Sequence, residues 1–174
     1  MVAAPLCPGP GGCFVVAEYA RHKPEKTLLD EVIRAELVDR VLPEVSIRQW
    51  VLRLPYPLRF RCAWNARLTS EVLRAFLRSV FTDQRRRARK LFGIRKGQCG
   101  SVTFVQRFGS ALNLTPHFHT LVLDGVYPGP SHDHGHFVVL PPPETEDVAR
   151  VLAGTARRIL RKPCRALPGR PPPA

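Results

Sequence analysis

The sequence predicts an α+β fold in which helices flank an antiparallel sheet. Two periodicities carry this prediction. Apolar residues recur at helical spacing in three segments, 24–42, about 69–92 and about 145–160. Residues typical of strands fill four others, 46–54, 101–107, 117–123 and 136–140. Short turns join the last three strands, and such turns connect antiparallel neighbours.

The first two helices have clear boundary signals. Pro24 suits the first turn of a helix, and Pro43 prevents that helix from continuing. The second helix is predicted to begin near Thr69 or Ser70, because both side chains can cap a helix N-terminus. It then runs through a basic segment and ends before Gly93.

Prolines mark the ends of the other elements. Pro55 and Pro57 close the strand predicted at 46–54, and the block 141–143 ends the last strand. Thr145 is predicted to cap the last helix.

Composition divides the 174 residues into three parts. Residues 1–23 are interrupted by Pro and Gly and are predicted to form an irregular arm. Residues 24–160 should form the domain, and the 44% apolar composition of the whole chain can fill a core. Residues 161–174 are rich in Pro and are predicted to form a disordered tail.

Several protein classes conflict with the composition. No run of 18 apolar residues exists, so we expect no transmembrane helix, and we expect no signal peptide either. The five cysteines include no C-x-x-C pair, so we assign no zinc site and expect a reduced, cytoplasmic protein. The formal net charge is +13, and 22 of the 27 basic residues are Arg, which indicates a polyanionic partner, nucleic acid first.

Five basic residues stand close together near the end of the second helix. They are Arg85, Arg86, Arg87, Arg89 and Lys90. Cations near a helix C-terminus are favourable, so a solvated helix end remains an alternative. The density of charge favours a nucleic-acid contact.

His117, Phe118 and His119 form the motif that can carry chemistry. On a strand, residues two apart share a face, so both imidazoles can converge on one divalent cation. Gln106 on the preceding strand is the candidate for a third ligand. Histidines that merely form hydrogen bonds remain an alternative. The histidine-rich segment 132–136 is interpreted as a polar loop.

The segment 97–127, which contains this motif, strongly resembles the two-tyrosine rolling-circle transposases, members of the HUH endonucleases. Segments 37–45, 48–52 and 140–143 are also similar to that family. The resemblance implies an antiparallel sheet that carries the histidine pair, as in ferredoxin-like folds. It also implies Mg²⁺ or Mn²⁺ at His117 and His119, single-stranded DNA as substrate and a tyrosine nucleophile.

The chain departs from the family in two ways. Cys7 and Cys13 do not complete the family's zinc module. Tyr19, Tyr56 and Tyr127 do not match the family's nucleophile motif, so we assign no catalytic residue. We therefore expect a transposase fragment, truncated at both ends and inactive alone.

Two other functions share features with this sequence. An amidohydrolase also uses an H-x-H pair, but its barrel needs about 250 residues. A non-enzymatic basic module that binds nucleic acid, with structural histidines, remains open. Metal binding that depends on His117 and His119 would distinguish the transposase fragment from this module.

Overall fold

The computed structural model describes residues 2–5, 14–18, 44–108, 114–129 and 136–161. The strands in these residues are β1 Val2–Pro5, β2 Phe14–Glu18, β3 Ile47–Arg53, β4 Ser101–Phe108, β5 Leu114–Leu123, β6 Gly125–Val126 and β7 Val138–Val139. The helices are α1 Tyr56–Trp64, α2 Ala66–Phe92 and α3 Thr145–Arg161. The predicted α+β class is confirmed.

The longer strands form one antiparallel sheet in the order β1-β2-β3-β5-β4, and β6 pairs with β7 separately. Strand β5 therefore has a neighbour on each side. Leu52 of β3 and Val105 of β4 both lie opposite Phe118. This register decides which side chains surround the histidines.

The core lies on one face of the sheet. Leu52, Phe118 and Val122 are fully buried there because strand alternation turns all three towards the helices. They belong to one cluster with residues of α2 and α3, among them Val72, Phe76, Val80, Val148, Val151 and Leu152. His117 and His119 consequently lie on the opposite face.

The long helix α2 begins earlier than predicted. Asn65 is its N-cap, and the side-chain oxygen accepts the backbone N–H of Leu68 at 2.9 Å. The predicted caps Thr69 and Ser70 lie inside the helix instead. Gly93 ends α2 with a φ of 68°, a left-handed conformation that glycine adopts without strain.

Helix α1 was missed by the sequence analysis. Pro55 and Pro57 were predicted only to close the preceding strand, but Pro57 lies in the first turn of α1, where a helix needs no backbone N–H from it. The hydroxyl of Thr69 donates to the carbonyl of Cys62 at 2.7 Å and joins the two helices.

The N-terminal arm also differs from its prediction. Strands β1 and β2 lie within residues 1–23, which were expected to be irregular. The apolar run at 14–16 pairs with 51–53 of β3, and this long-range pairing outweighs the Pro and Gly residues around it. The helix predicted at 24–42, the turn near 109–110 and residues 162–174 lie outside the described residues.

The structure differs from the sequence prediction at two points in the region before α3. The strand predicted at 136–140 is reduced to β7, which within the described residues pairs with β6 alone. Thr145 is the first residue of α3 and not its cap. The carboxylate of Asp147 accepts the backbone N–H of Glu144 at 3.1 Å and so satisfies a donor at the helix start.

A buried ion pair fixes the end of β5. The guanidinium of Arg48 donates to both carboxylate oxygens of Asp124, at 3.0 and 2.5 Å. The backbone N–H of Asp124 donates to the carbonyl of Ser46, and its carbonyl accepts the N–H of Leu140. Asp124 thereby joins β3, β5 and the segment after β7.

Candidate functional site

The histidine pair lies near the start of β5, the strand beside the edge strand β4, on the face of the sheet away from the helices. The ring centroids of His117 and His119 are 4.9 Å apart, and their planes are inclined by 61°. Both side chains are half-buried, while Phe118 between them is fully buried in the core. The buried phenylalanine anchors the strand, so the direction of both imidazoles is fixed by core packing.

Polar residues lie beside His117 on both neighbouring strands. Gln106 of β4 and Arg53 of β3 are its register partners. Directly opposite residues in antiparallel strands share a face and have Cβ atoms about 5 Å apart. Gln106, the predicted third ligand, is therefore a neighbour of His117. Arg53, which is exposed, was not predicted to belong to this site.

Gln49 of β3 orients the other histidine. The nitrogen of its side-chain amide lies 2.9 Å from Nδ1 of His119 and donates to it when Nδ1 carries no proton. If Nδ1 carries the proton, it donates to the amide oxygen after a half-turn of the amide, and Nε2 becomes a ligand atom. Histidines that bind metals usually make such a second hydrogen bond. The sequence analysis did not identify Gln49.

The separation of the two rings fits a shared cation. A metal bound to an imidazole nitrogen at about 2.1 Å lies roughly 3.2 Å from the ring centroid. Two centroids 4.9 Å apart then subtend an angle of about 100° at the metal. Among the described residues, no group of three or more His, Cys, Asp or Glu side chains is suited to a metal. A cation here would accordingly need the amide of Gln106 or water as a further ligand.

The other candidate residues lie apart from this pair or outside the described residues. Of the segment 132–136, only His136 is described, and it is exposed. Tyr127 follows the far end of β5, and its ring packs against Phe137 at 5.0 Å. Tyr56 begins α1 and is exposed, whereas Tyr19 is not described.

The basic residues 85–90 divide into two groups. Arg86 binds Asp83 and Asp147, at 2.8 and 2.6 Å. The guanidinium of Arg87 is buried, where it contacts Asp147 and donates to the carbonyl of Pro141. These two arginines hold α2 against α3. Arg85, Arg89 and Lys90 are exposed, and Nε of Arg85 donates to the carbonyl of Gly97 at 2.9 Å.

Burial and ion pairing act against each other in this network. Burial lowers the pKa of Arg87, although the nearby carboxylates of Asp147 and Asp83 oppose the shift. Burial would raise the pKa of Asp147. Hydrogen bonds from the Glu144 N–H and the Arg150 guanidinium, together with the charges of Arg87 and Arg86, outweigh this effect of burial. The pKa of Asp147 is therefore lowered.

The exposed arginines of α2 form a longer row than the sequence analysis recognised. Within one stripe of the helix surface lie Arg67, Arg74, Arg78, Arg85 and Arg89. Their alternating spacing of seven and four residues is the signal that could have revealed the row. We call it the α2 arginine row. At 1.5 Å per residue it is about 33 Å long.

A groove lies beside the α2 arginine row. It has a volume of about 420 Å³ and runs between α2 and α3. Arg74 and Arg78 line it from α2, while Arg158 and Arg161 line it from α3. Glu71 is the one carboxylate that the described part of the chain places on its wall. Such a density of guanidinium groups suits phosphate oxygens.

Part of the chain matches a known family. A family model with the description "Putative transposase" matches residues 100–150, from the start of β4 into α3. The match includes His117, His119 and Gln106 and covers less than a third of the chain. No curated protein and no solved structure matches the chain. No helix in the described part of the chain is long and apolar enough to cross a membrane.

Proposed function

We propose that this chain is a DNA-binding protein of the HUH transposase type that holds a divalent cation through His117, His119 and Gln106. The 4.9 Å separation of the two rings, beside Gln106 on the next strand, is the observation that carries the proposal. The match to the transposase family is consistent with it. A bound Mg²⁺ or Mn²⁺ would polarise a phosphodiester oxygen.

The residues around the pair have separate roles in this proposal. Gln49 holds the ring of His119 through Nδ1. Arg53, on the other side of His117 from Gln106, offers a guanidinium to the phosphate. The described tyrosines, Tyr56 and Tyr127, are not assigned as nucleophiles. We therefore expect no covalent adduct with a single-stranded oligonucleotide on a denaturing gel, and an adduct would contradict this assignment.

Binding of Mn²⁺, measured by calorimetry or electron paramagnetic resonance, tests the metal site. We expect the wild-type chain to bind one ion and the His117→Ala/His119→Ala variant to lose it. His136→Ala removes an exposed histidine from another part of the chain and should bind Mn²⁺ as the wild type does. Unchanged binding by the double variant would refute the metal site.

The remaining alternative is a non-enzymatic basic module in which the histidines are structural. The hydrogen bond between Gln49 and His119 favours it, because the amide nitrogen faces Nδ1, and a neutral ring that accepts there carries its proton on Nε2. Loss of thermal stability in the double variant, without any Mn²⁺ binding by the wild type, would support this alternative.

We further propose that the α2 arginine row contacts the DNA backbone. Each phosphate contact on a single strand contributes about 0.7 to the slope of log K against log salt. Arg85→Gln/Arg89→Gln should therefore reduce the slope by about 1.4, measured by fluorescence anisotropy. Arg157→Gln removes an exposed charge from α3 and should leave the slope unchanged. Equal slopes for all three proteins would refute the contact.

A further inference from the structure

Three large aromatic side chains lie exposed in one row on α1. Tyr56, Phe60 and Trp64 are four residues apart and share one face of the helix. Their exposed fractions are 65, 40 and 66%. The rings of Tyr56 and Phe60 are within 27° of parallel, with centroids 6.4 Å apart. A cluster of exposed apolar side chains typically marks a binding surface, whereas single exposed apolar side chains are common on any protein.

The helix that carries this aromatic row is held firmly from its other side. Cys62 is buried in the hydrophobic core, and Leu58 packs against the same core cluster. The hydroxyl of Thr69 binds the carbonyl of Cys62 and ties α1 to α2. The row is thus presented by a fixed scaffold, which reduces the entropy lost when a partner binds.

Charge around the aromatic row identifies the chemistry of the partner. Arg59 lies over the ring of Tyr56 at 5.6 Å, and Arg53 and Arg61 are exposed nearby in the chain. Helix α1 contains no acidic residue. The surface therefore suits a partner that is both anionic and rich in flat apolar groups. Nucleic acid combines phosphates with base faces in this way.

Spacing selects a single strand over a duplex. Four residues of α-helix rise about 6 Å, so successive aromatic rings on α1 stand about 6 Å apart along the helix. Bases stacked in a duplex are about 3.4 Å apart. Successive rings can therefore engage successive bases only if these bases are unpaired and drawn apart.

We propose that Tyr56, Phe60 and Trp64 form a stacking platform for the bases of single-stranded DNA. Strand β3 ends at Arg53, the register partner of His117, and the platform begins three residues later. The platform would thus hold the single-stranded DNA beside the end of the sheet that carries the histidines. This inference rests on the proposed binding of single-stranded DNA, although not on the metal.

Tryptophan fluorescence gives a selective test, because the chain has two tryptophans and Trp50 is buried. The full chain is titrated with an oligo-dT strand and with a duplex of equal length, in EDTA to exclude metal effects. We expect the single strand to quench emission and Trp64→Phe to abolish the quenching. Trp64→Ala should weaken binding of the single strand by about 5- to 100-fold. Leu160→Ala, which removes an equally exposed apolar side chain from α3, should bind normally.

The outcomes separate this platform from the wider proposal. If the wild type binds oligo-dT and Trp64→Ala binds it equally well, the platform is refuted while DNA binding stands. If the wild type does not bind oligo-dT, both fail. Quenching by vesicles of phosphatidylserine and phosphatidylcholine, or by rising protein concentration, without quenching by DNA would instead assign the row to a membrane or to a second copy.

Discussion

Substitution of Asp124 by Asn should destabilise the protein strongly. The substitution keeps the shape of the side chain but removes the charge that faces Arg48, whose side chain is 5% exposed. An unpaired buried charge typically costs about 3–5 kcal/mol. Because the asparagine oxygen can still accept one of the two hydrogen bonds, we expect the lower end, about 3 kcal/mol. For a chain of this size, that lowers Tm by about 6 to 12 °C.

Urea unfolding followed by circular dichroism measures this loss, with a matched control on α2. Glu71→Gln breaks the pair with Arg67, which is 3.4 Å long and has one side chain 87% exposed. Exposed helix pairs contribute about 0.3–0.5 kcal/mol, so the control should scarcely change the free energy of unfolding. A cost for Asp124→Asn no larger than the control's would refute the reasoning. An apolar Arg48→Met/Asp124→Leu variant should be more stable than Asp124→Asn, because it buries no unpaired charge.

Three further predictions concern the backbone, the acid response and the histidines. Gly125→Ala should unfold at lower urea concentration, because a Cβ there would lie 2.2 Å from the carbonyl oxygen of Val138. Asp147 has a lowered pKa in the folded protein, so its stabilisation is complete above the unfolded pKa and disappears as the pH falls through the folded value. The difference in unfolding free energy between wild type and Asp147→Asn should hold from pH 7 to 5 and shrink below about pH 4. Gln49→Leu should weaken Mn²⁺ binding about 10- to 100-fold by calorimetry, since His119 loses its orienting hydrogen bond.

Local sequence patterns predicted the elements that dominate the core. Alternating apolar residues identified β3, β4 and β5, and helical periodicity identified α2 and α3. Helix α1 and strand β2 were missed because each is a short segment beside Pro or Gly, residues that commonly interrupt helices and strands. Both depend on tertiary contacts: the Thr69–Cys62 hydrogen bond for α1, and pairing with β3 for β2.

The candidate site was only partly predictable, because its parts come from distant segments. The alternation of a single strand was enough to place His117 and His119 on one face. Gln106 lies on the adjacent hairpin strand and could be anticipated. Gln49 and Arg53 belong to β3, more than 60 residues earlier in the chain. Only the register between β3 and β5 brings them to the histidines, and no local pattern specifies it.

The two faces of β5 make the proposed site depend on the core. Phe118 between the histidines is fully buried, so a slip of one residue would expose it and turn both imidazoles inward. The Arg48–Asp124 pair opposes such a slip, because it ties the end of β5 to the start of β3. The burial of Phe118 still specifies the register without this pair, so Asp124→Asn should reduce Mn²⁺ binding only where it unfolds the chain. Reduced affinity in the folded variant would show instead that the register depends on the pair.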